Sequence, residues 1–423
     1  MKKNLTVIAG AALVLGFAAA AVPRQISDDR VLEAKAKDIH SRILSVDTHC
    51  DTPMAMLRPG WDIGERHEPG RPGSGLIDIP RMKEGCLDAL FLGAFVGQGP
   101  LTPGGFANAK TRAGALLDAI DAMGVKHPGL VGKATTPADA IRLKGEDKRA
   151  AFIGMENGYP IGEDITLVES FAKRGVRYIT LCHSADNQIC DSGTERANPE
   201  DKGLSEFGKN VVAECNRLGI MVDVSHISDR SFADVLAVTK APVIASHSCC
   251  RSLCPNPRNL TDDMIKALAA NGGVLQMCFL SDYLVAPKPN PERDAAMKEL
   301  EAKYGSRQRI PSITDEALKA EAQAAYQAFQ KKFPRQRAAA TVKDLVDNIE
   351  HVIKLAGIDY IGIGTDFDGG GGINGCNDVS EMFHVTMELL RRGYTEPQIA
   401  KIWGGNTMRL LQKVIDSAAP SKM

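Results

Sequence analysis

The sequence predicts an α/β fold, a (β/α)8 TIM barrel. Three observations carry this: eight short β-rich apolar runs, helical segments of period near 3.6 between them, and acidic or histidine residues at the ends of most runs. A length of 423 residues suits one large barrel with insertions, or two medium domains. With 44% hydrophobic and 24% charged residues, the composition supplies a core and excludes a disordered chain, a collagen and a polytopic membrane protein. Fifty-one basic against 52 acidic residues, with no long Lys/Arg run, make nucleic acid an unexpected partner. Ten cysteines are too few for a disulfide scaffold.

The chain opens with Lys2 and Lys3 before an apolar stretch, Leu5 to Ala21, in which Ala19 and Ala21 offer an A-x-A cleavage site. Residues 1–21 read as a signal peptide and 22–423 as one barrel domain, periplasmic or secreted, with disulfides permitted. The alternative is an uncleaved membrane anchor through residues 5–21, slightly short for a span of about 20 residues.

The eight runs are Ile43 to Asp47, Leu87 to Val96, Ala150 to Met155, Arg177 to Cys182, Gly219 to Val224, Ala241 to Ser246, Gly272 to Cys278 and Asp359 to Thr365. Among the helices, Asn108 to Met123 places Ala113, Leu116, Leu117, Ile120 and Met123 on one face. Another starts at Thr341, with Asp344 at the capping-box position and Gly357 at its end. Two segments interrupt the pattern. Pro59 to Gly75, rich in Gly and Pro, reads as a loop over the barrel mouth. Ala286 to Ala340, charged and Ala-rich, reads as a helical insertion between strands seven and eight.

Catalytic groups of such a barrel project from the carboxyl ends of its strands. Here the ends read Val46-Asp47-Thr48-His49-Cys50-Asp51, Gly154-Met155-Glu156, Leu181-Cys182-His183, Val224-Ser225-His226, Ala245-Ser246-His247 and Gly364-Thr365-Asp366-Phe367-Asp368. Four of the nine histidines stand at strand ends. Singly these signals are weak, since an isolated H-x-D is more often a solvated loop and a lone histidine a hydrogen-bonded core residue. His49 and Asp51 nevertheless share one face of an extended segment, and a carboxylate such as Glu156 on a buried strand needs a cation or donors to offset its desolvation. Together, His, Asp, Glu, His, His and Asp give the N/O ligand set of a dinuclear hydrolytic site, with zinc the usual occupant and manganese or cobalt as substitutes. Cys249, Cys250 and Cys254 read as free or disulfide-paired residues in preference to a second metal site.

At these positions the sequence resembles the membrane dipeptidases, also called renal dipeptidases, of the amidohydrolase-like metal-dependent hydrolases. The matching stretches also include Gly175 to His183, Asp223 to His226, Ser246 to Ser248, Arg258-Asn259-Leu260, Gly364 to Gly369 and Gly405-Asn406. The resemblance implies a zinc-dependent dipeptidase that attacks the peptide bond with a metal-bridging hydroxide. Two Zn2+ per chain would be bridged by Glu156, one held by His49 and Asp51 with help from Asp366, the other by His226 and His247. Asp366 would shuttle the proton, and His183 would stabilise the oxyanion. Arg258 would hold the α-carboxylate of a dipeptide substrate, with Asn259 beside it in the substrate-binding set. A homodimer is also implied. The sequence departs from the family at Asn157-Gly158 after Glu156, at Leu280, where mammalian members carry tyrosine, and in the length of the insertion. Ser417 to Met423 carries no apolar tail for a glycolipid anchor. Competing readings are an amidohydrolase acting on another amide, a lactone or a β-lactam-like substrate, and a catalytically silent barrel used for binding. A carboxylated lysine bridge is not expected, because no lysine ends a strand. No metal ligand is missing, which speaks against the silent barrel.

Overall fold

Nine strands form one parallel sheet: β1 (Val46–Cys50), β2 (Ala89–Phe95), β3 (Val131–Lys133), β4 (Arg149–Glu156), β5 (Val176–Thr180), β6 (Met221–Asp223), β7 (Ile244–Ser248), β8 (Val274–Met277) and β9 (Ile361–Ile363). The order is β1-β2-β4-β5-β6-β7-β8-β9, with β3 paired only to β4. The computed structural model describes residues 28–418 apart from 69, 72, 196–199, 287, 306, 308–309, 311–312 and 334–338. The expected signal peptide, 1–21, lies outside the described residues.

Eight strands are the eight predicted runs, and they make a nearly closed barrel. β3 was not expected, because three residues are too few to show a period. Boundaries moved where capping intervened. Ile43 caps the helix Asp29–Arg42, so β1 starts at Val46 and carries His49 within the strand. Residues Ile358–Tyr360 form a 3-10 turn, which shortens β9 from the predicted Asp359 to Thr365. The gap between β1 and β9 is closed at the mouth: the Asp366 amide donates to His49 O at 3.0 Å, and the Asp51 amide to Phe367 O at 2.8 Å. The buried Asp47 carboxylate accepts from the Thr365 amide (2.8 Å) and hydroxyl (2.6 Å), pinning the same two segments.

The barrel interior divides into two halves. At the amino end Val46, Ala89, Phe91, Ala150, Phe152, Met221, Ile244 and Val274 pack with Leu410, Leu411 and Val414 of the helix Asn406–Asp416. That helix closes the bottom, so apolar burial there holds the fold. Toward the carboxyl ends the buried side chains become polar, with Asp47, His49, Glu156, Thr180, Asp223, Ser246 and His247 all buried. The outer helices follow the expected caps. Pro103–Lys126 contains the predicted stripe of Ala113, Leu116, Leu117, Ile120 and Met123, all buried. Val342–Ala356 starts with the capping box of Thr341 and Asp344.

Between β8 and Val342–Ala356 the insertion contributes two helices, Pro291–Tyr304 and Glu316–Lys332. They share a small core of Ile310, Ala322 and Tyr326 with Met297, Leu300, Tyr304 and Ile313, separate from the barrel core. All ten cysteines are free, Cys249, Cys250 and Cys254 buried among them. No helix among the described residues is long and apolar enough to cross a membrane.

Candidate metal centre and substrate cavity

Parallel strands bring every predicted ligand to the same end of the barrel. Glu156, last residue of β4, stands among four histidines. Its Oε2 lies 3.5 Å from Nε2 of His49. Its Oε1 lies 3.1 Å from Nε2 of His226, 3.5 Å from that of His247 and 3.7 Å from that of His183. Each oxygen therefore faces a different set of ring nitrogens. Nε2 of His49 is also 3.9 Å from Oδ1 of Asp366. Three overlapping groups result: His49, His247 and Asp366; Glu156, His183 and His226; His49, Asp51 and Glu156, each with ligand atoms within 4.8 Å of one another. Among the described residues these are the groups that could hold a metal ion, and none includes a cysteine.

The donor set tests whether a cation fits. Nε2 of His49, Oδ1 of Asp51 and Oε2 of Glu156 are buried acceptors without a hydrogen-bond partner. Leaving such atoms unpaired costs about 1–3 kcal/mol each, and divalent cations satisfy all three at once. Nε2 of His226 and Nε2 of His247 face each other at 2.9 Å, an arrangement that suits two neutral imidazoles turned toward a shared cation. Burial first, then the charge of Arg258 or of neighbouring histidines, holds both rings well below the usual histidine pKa. Burial raises the Glu156 carboxyl, but the histidines around it outweigh that and keep it ionised. Burial and the nearby Glu156 push Asp51 well up, as expected for a carboxylate whose counter-charge is a metal.

Backbone conformation supports the placement. His226 and Asp366 both adopt positive φ, 74° and 59°, a strained state for non-glycine residues that turns their side chains back over the barrel mouth.

Orienting partners form a further layer that the sequence reading missed. The Tyr178 hydroxyl lies 2.6 Å from Nδ1 of His49. Nδ1 of His247 lies 2.8 Å from the Ser246 hydroxyl, which donates to Asp223 at 2.7 Å. Asp223 also accepts from the Thr180 hydroxyl at 2.5 Å. Such partners fix the tautomer and orientation of ligating rings. A signal was available: a tyrosine inside a buried strand needs a partner for its hydroxyl. The glycine preceding Met155 has the same origin, since a Cβ on Gly154 would overlap the Tyr178 ring.

Two cavities flank the centre. One, about 460 Å³, is lined by Asp51, Asp368 and part of the Pro59 to Gly75 segment, which therefore lies at the mouth as expected. The other, about 640 Å³, is lined by Arg258, Ser184, Tyr283 and residues of the insertion. Arg258 is 4% exposed. Its Nη2 donates to His247 O at 3.1 Å, its guanidinium lies 5.3 Å from the Tyr283 ring centre, and its Nε has no partner. No carboxylate pairs with it among the described residues. Asn259, also expected at the substrate, is turned away: its amide donates to Cys254 O (2.9 Å) and Tyr283 O (2.8 Å), leaving Oδ1 without a partner. His183 is partly exposed, its ring 4.2 Å from that of His226 and 4.7 Å from that of Phe95.

A parallel barrel with a buried His/Asp/Glu cluster at its carboxyl end is the architecture of the amidohydrolase-like superfamily. Comparison with known proteins narrows this. The membrane dipeptidase family, peptidase family M19, matches residues 33–423, and the chain belongs to that family. It is 30% identical over 377 residues to the dipeptidase tcpJ of Claviceps purpurea, covering 87% of this chain and 77% of that one. It is 29% identical over 410 residues to the dipeptidase ataJ of Aspergillus terreus, covering 91% and 88%. The crystal structure of the probable dipeptidase PvdM from Pseudomonas aeruginosa superposes with a TM-score of 0.79 at 32% identity, covering 92% of this chain and all of that one. The chain is accordingly an enzyme of the M19 dipeptidase family.

Proposed function

We propose that this protein is a periplasmic or secreted dipeptidase that holds two zinc ions, with manganese or cobalt as substitutes. Glu156 would be shared by the pair, His49 and Asp51 would hold one ion with Asp366 beside it, and His226 and His247 would hold the other. The export assignment rests on Lys2, Lys3 and the apolar run to Ala21. When bound, such a pair lowers the pKa of water toward neutrality and polarises the scissile carbonyl.

The chain's own residues do the rest. Arg258 clamps the substrate's free α-carboxylate, which places the preceding carbonyl over the cluster. Asp366 accepts a proton from the attacking water and delivers it to the amide nitrogen as the C–N bond breaks, leaving a new carboxyl group and a free amine. His183, held neutral mainly by burial, donates a ring N–H to the carbonyl oxygen as it becomes anionic.

The observation that carries the substrate assignment is Arg258, a buried guanidinium beside the cluster with no carboxylate partner among the described residues. A buried cation without an anion is costly, and a dipeptide's α-carboxylate supplies the missing charge in bidentate form. Metal content of the purified protein, measured with hydrolysis of free dipeptides, tests the reading. Two ions per chain and metal-dependent cleavage are expected in the parent. Glu156→Gln should lose tightly held metal, and two retained ions in that variant would refute the bridge.

A further inference from the structure

Beyond the clamp, the geometry points to a second determinant of specificity: we infer that Lys298, on the first insertion helix, selects substrates whose carboxyl-terminal residue bears an acidic side chain. This deepens the dipeptidase reading above and rests on it.

The cavity that contains Arg258 continues past it to the helix Pro291–Tyr304, whose Arg293, Asp294, Met297, Lys298 and Glu301 form its far wall. These five positions fall on one face of the helix, at spacings of one and three. The helix buries none of its residues, and its apolar side packs on the insertion's own small core, so the charged face does not serve the barrel core. If Arg258 holds the α-carboxylate, the side chain on the same Cα projects away from the metals into this space. At about 640 Å³ the cavity is larger than a carboxylate alone would need.

The sign of the preference follows from which charge remains free. Arg293 lies 3.5 Å from Asp294 and over the Phe329 ring at 5.8 Å. Glu301 is itself partnered. Lys298 makes no ion pair with the described residues, leaving an unpaired ammonium on the cavity wall. It is exposed, so its attraction is modest and salt-sensitive, a matter of selectivity among substrates rather than of binding as such.

The full-length metal-loaded enzyme is assayed with Ala-Glu, Ala-Gln and Ala-Lys. Expected is kcat/KM falling in that order, by about three- to tenfold from Glu to Lys, chiefly through KM. The spread should narrow in high salt. Lys298→Met should flatten the series and Lys298→Glu invert it, with thermal unfolding midpoints near that of the parent. A parent that treats the three alike within twofold, or a Lys298→Glu variant that keeps the parent's order, overturns the inference while leaving the dipeptidase reading standing. If none of the three is cut by the metal-loaded enzyme, the dipeptidase reading fails and this one falls with it.

Discussion

The Tyr178 hydroxyl sits 2.6 Å from Nδ1 of His49, joining two strands 129 residues apart in sequence and aiming Nε2 of the same ring at Glu156. If Nε2 takes a metal ion as proposed, Nδ1 carries the proton and donates it to the tyrosine oxygen. Tyr178→Phe removes that partner at constant ring volume. Metal affinity should fall by about 10- to 100-fold, read by competition with a chelator, while the fold is retained. An unchanged affinity would mean that packing alone orients His49.

The role proposed for Asp366 is to move a proton rather than to bind substrate. Asp366→Asn should lower kcat by about 10²- to 10⁴-fold and change KM much less. Metal content is measured on the same samples, because Oδ1 of Asp366 lies within reach of the cluster. Near-normal turnover with full metal would exclude the shuttle role.

The clamp proposed for Arg258 predicts a length and end-group preference. Free dipeptides should be cut, amidated dipeptides rejected and longer peptides cut poorly. Removing a buried charge-assisted pair costs about 2–5 kcal/mol, so Arg258→Ala should lose roughly 30-fold to several thousand-fold in kcat/KM on free dipeptides. The variant should discriminate little further against the amidated ones. A parent that hydrolyses both classes equally well is better described as a general amidase.

Far from the site, His40 makes stability depend on pH. Trp403 Nε1 donates to Thr386 Oγ1 at 2.6 Å, the Thr386 hydroxyl donates to His40 Nε2 at 2.8 Å, and His40 Nδ1 donates to Cys86 O at 3.1 Å. This chain requires a neutral ring, and burial lowers its pKa to about 4 from 6.5. The unfolded chain takes up the proton first, so the stabilisation is complete above pH 6.5 and is lost as pH falls toward 4, by about 3 kcal/mol. Urea unfolding of chelated parent and His40→Gln protein at pH 7.5 and 4.5 separates this effect from metal release. Equal losses in the two proteins would clear His40.

Read alone, the sequence determined the eight barrel strands, the Thr341 cap and the identity of the clustered site residues, His49, Asp51, Glu156, His183, His226, His247 and Asp366. It could do so because parallel βα units force each strand's carboxyl end to the same rim, so residues distant in sequence share a site whenever they share a strand position. Other features depended on register and packing between segments that no local period encodes. Tyr178 meets His49 through the alignment of β5 across the barrel, and Asn259 turns its amide to two backbone carbonyls rather than to the cavity. Arg258 is left without a carboxylate among the described residues, and the helix Pro291–Tyr304 sets its charged face against the same cavity. Hydrophobic periodicity fixes which face of an element is buried; which polar atoms then find partners is settled only when the elements have packed.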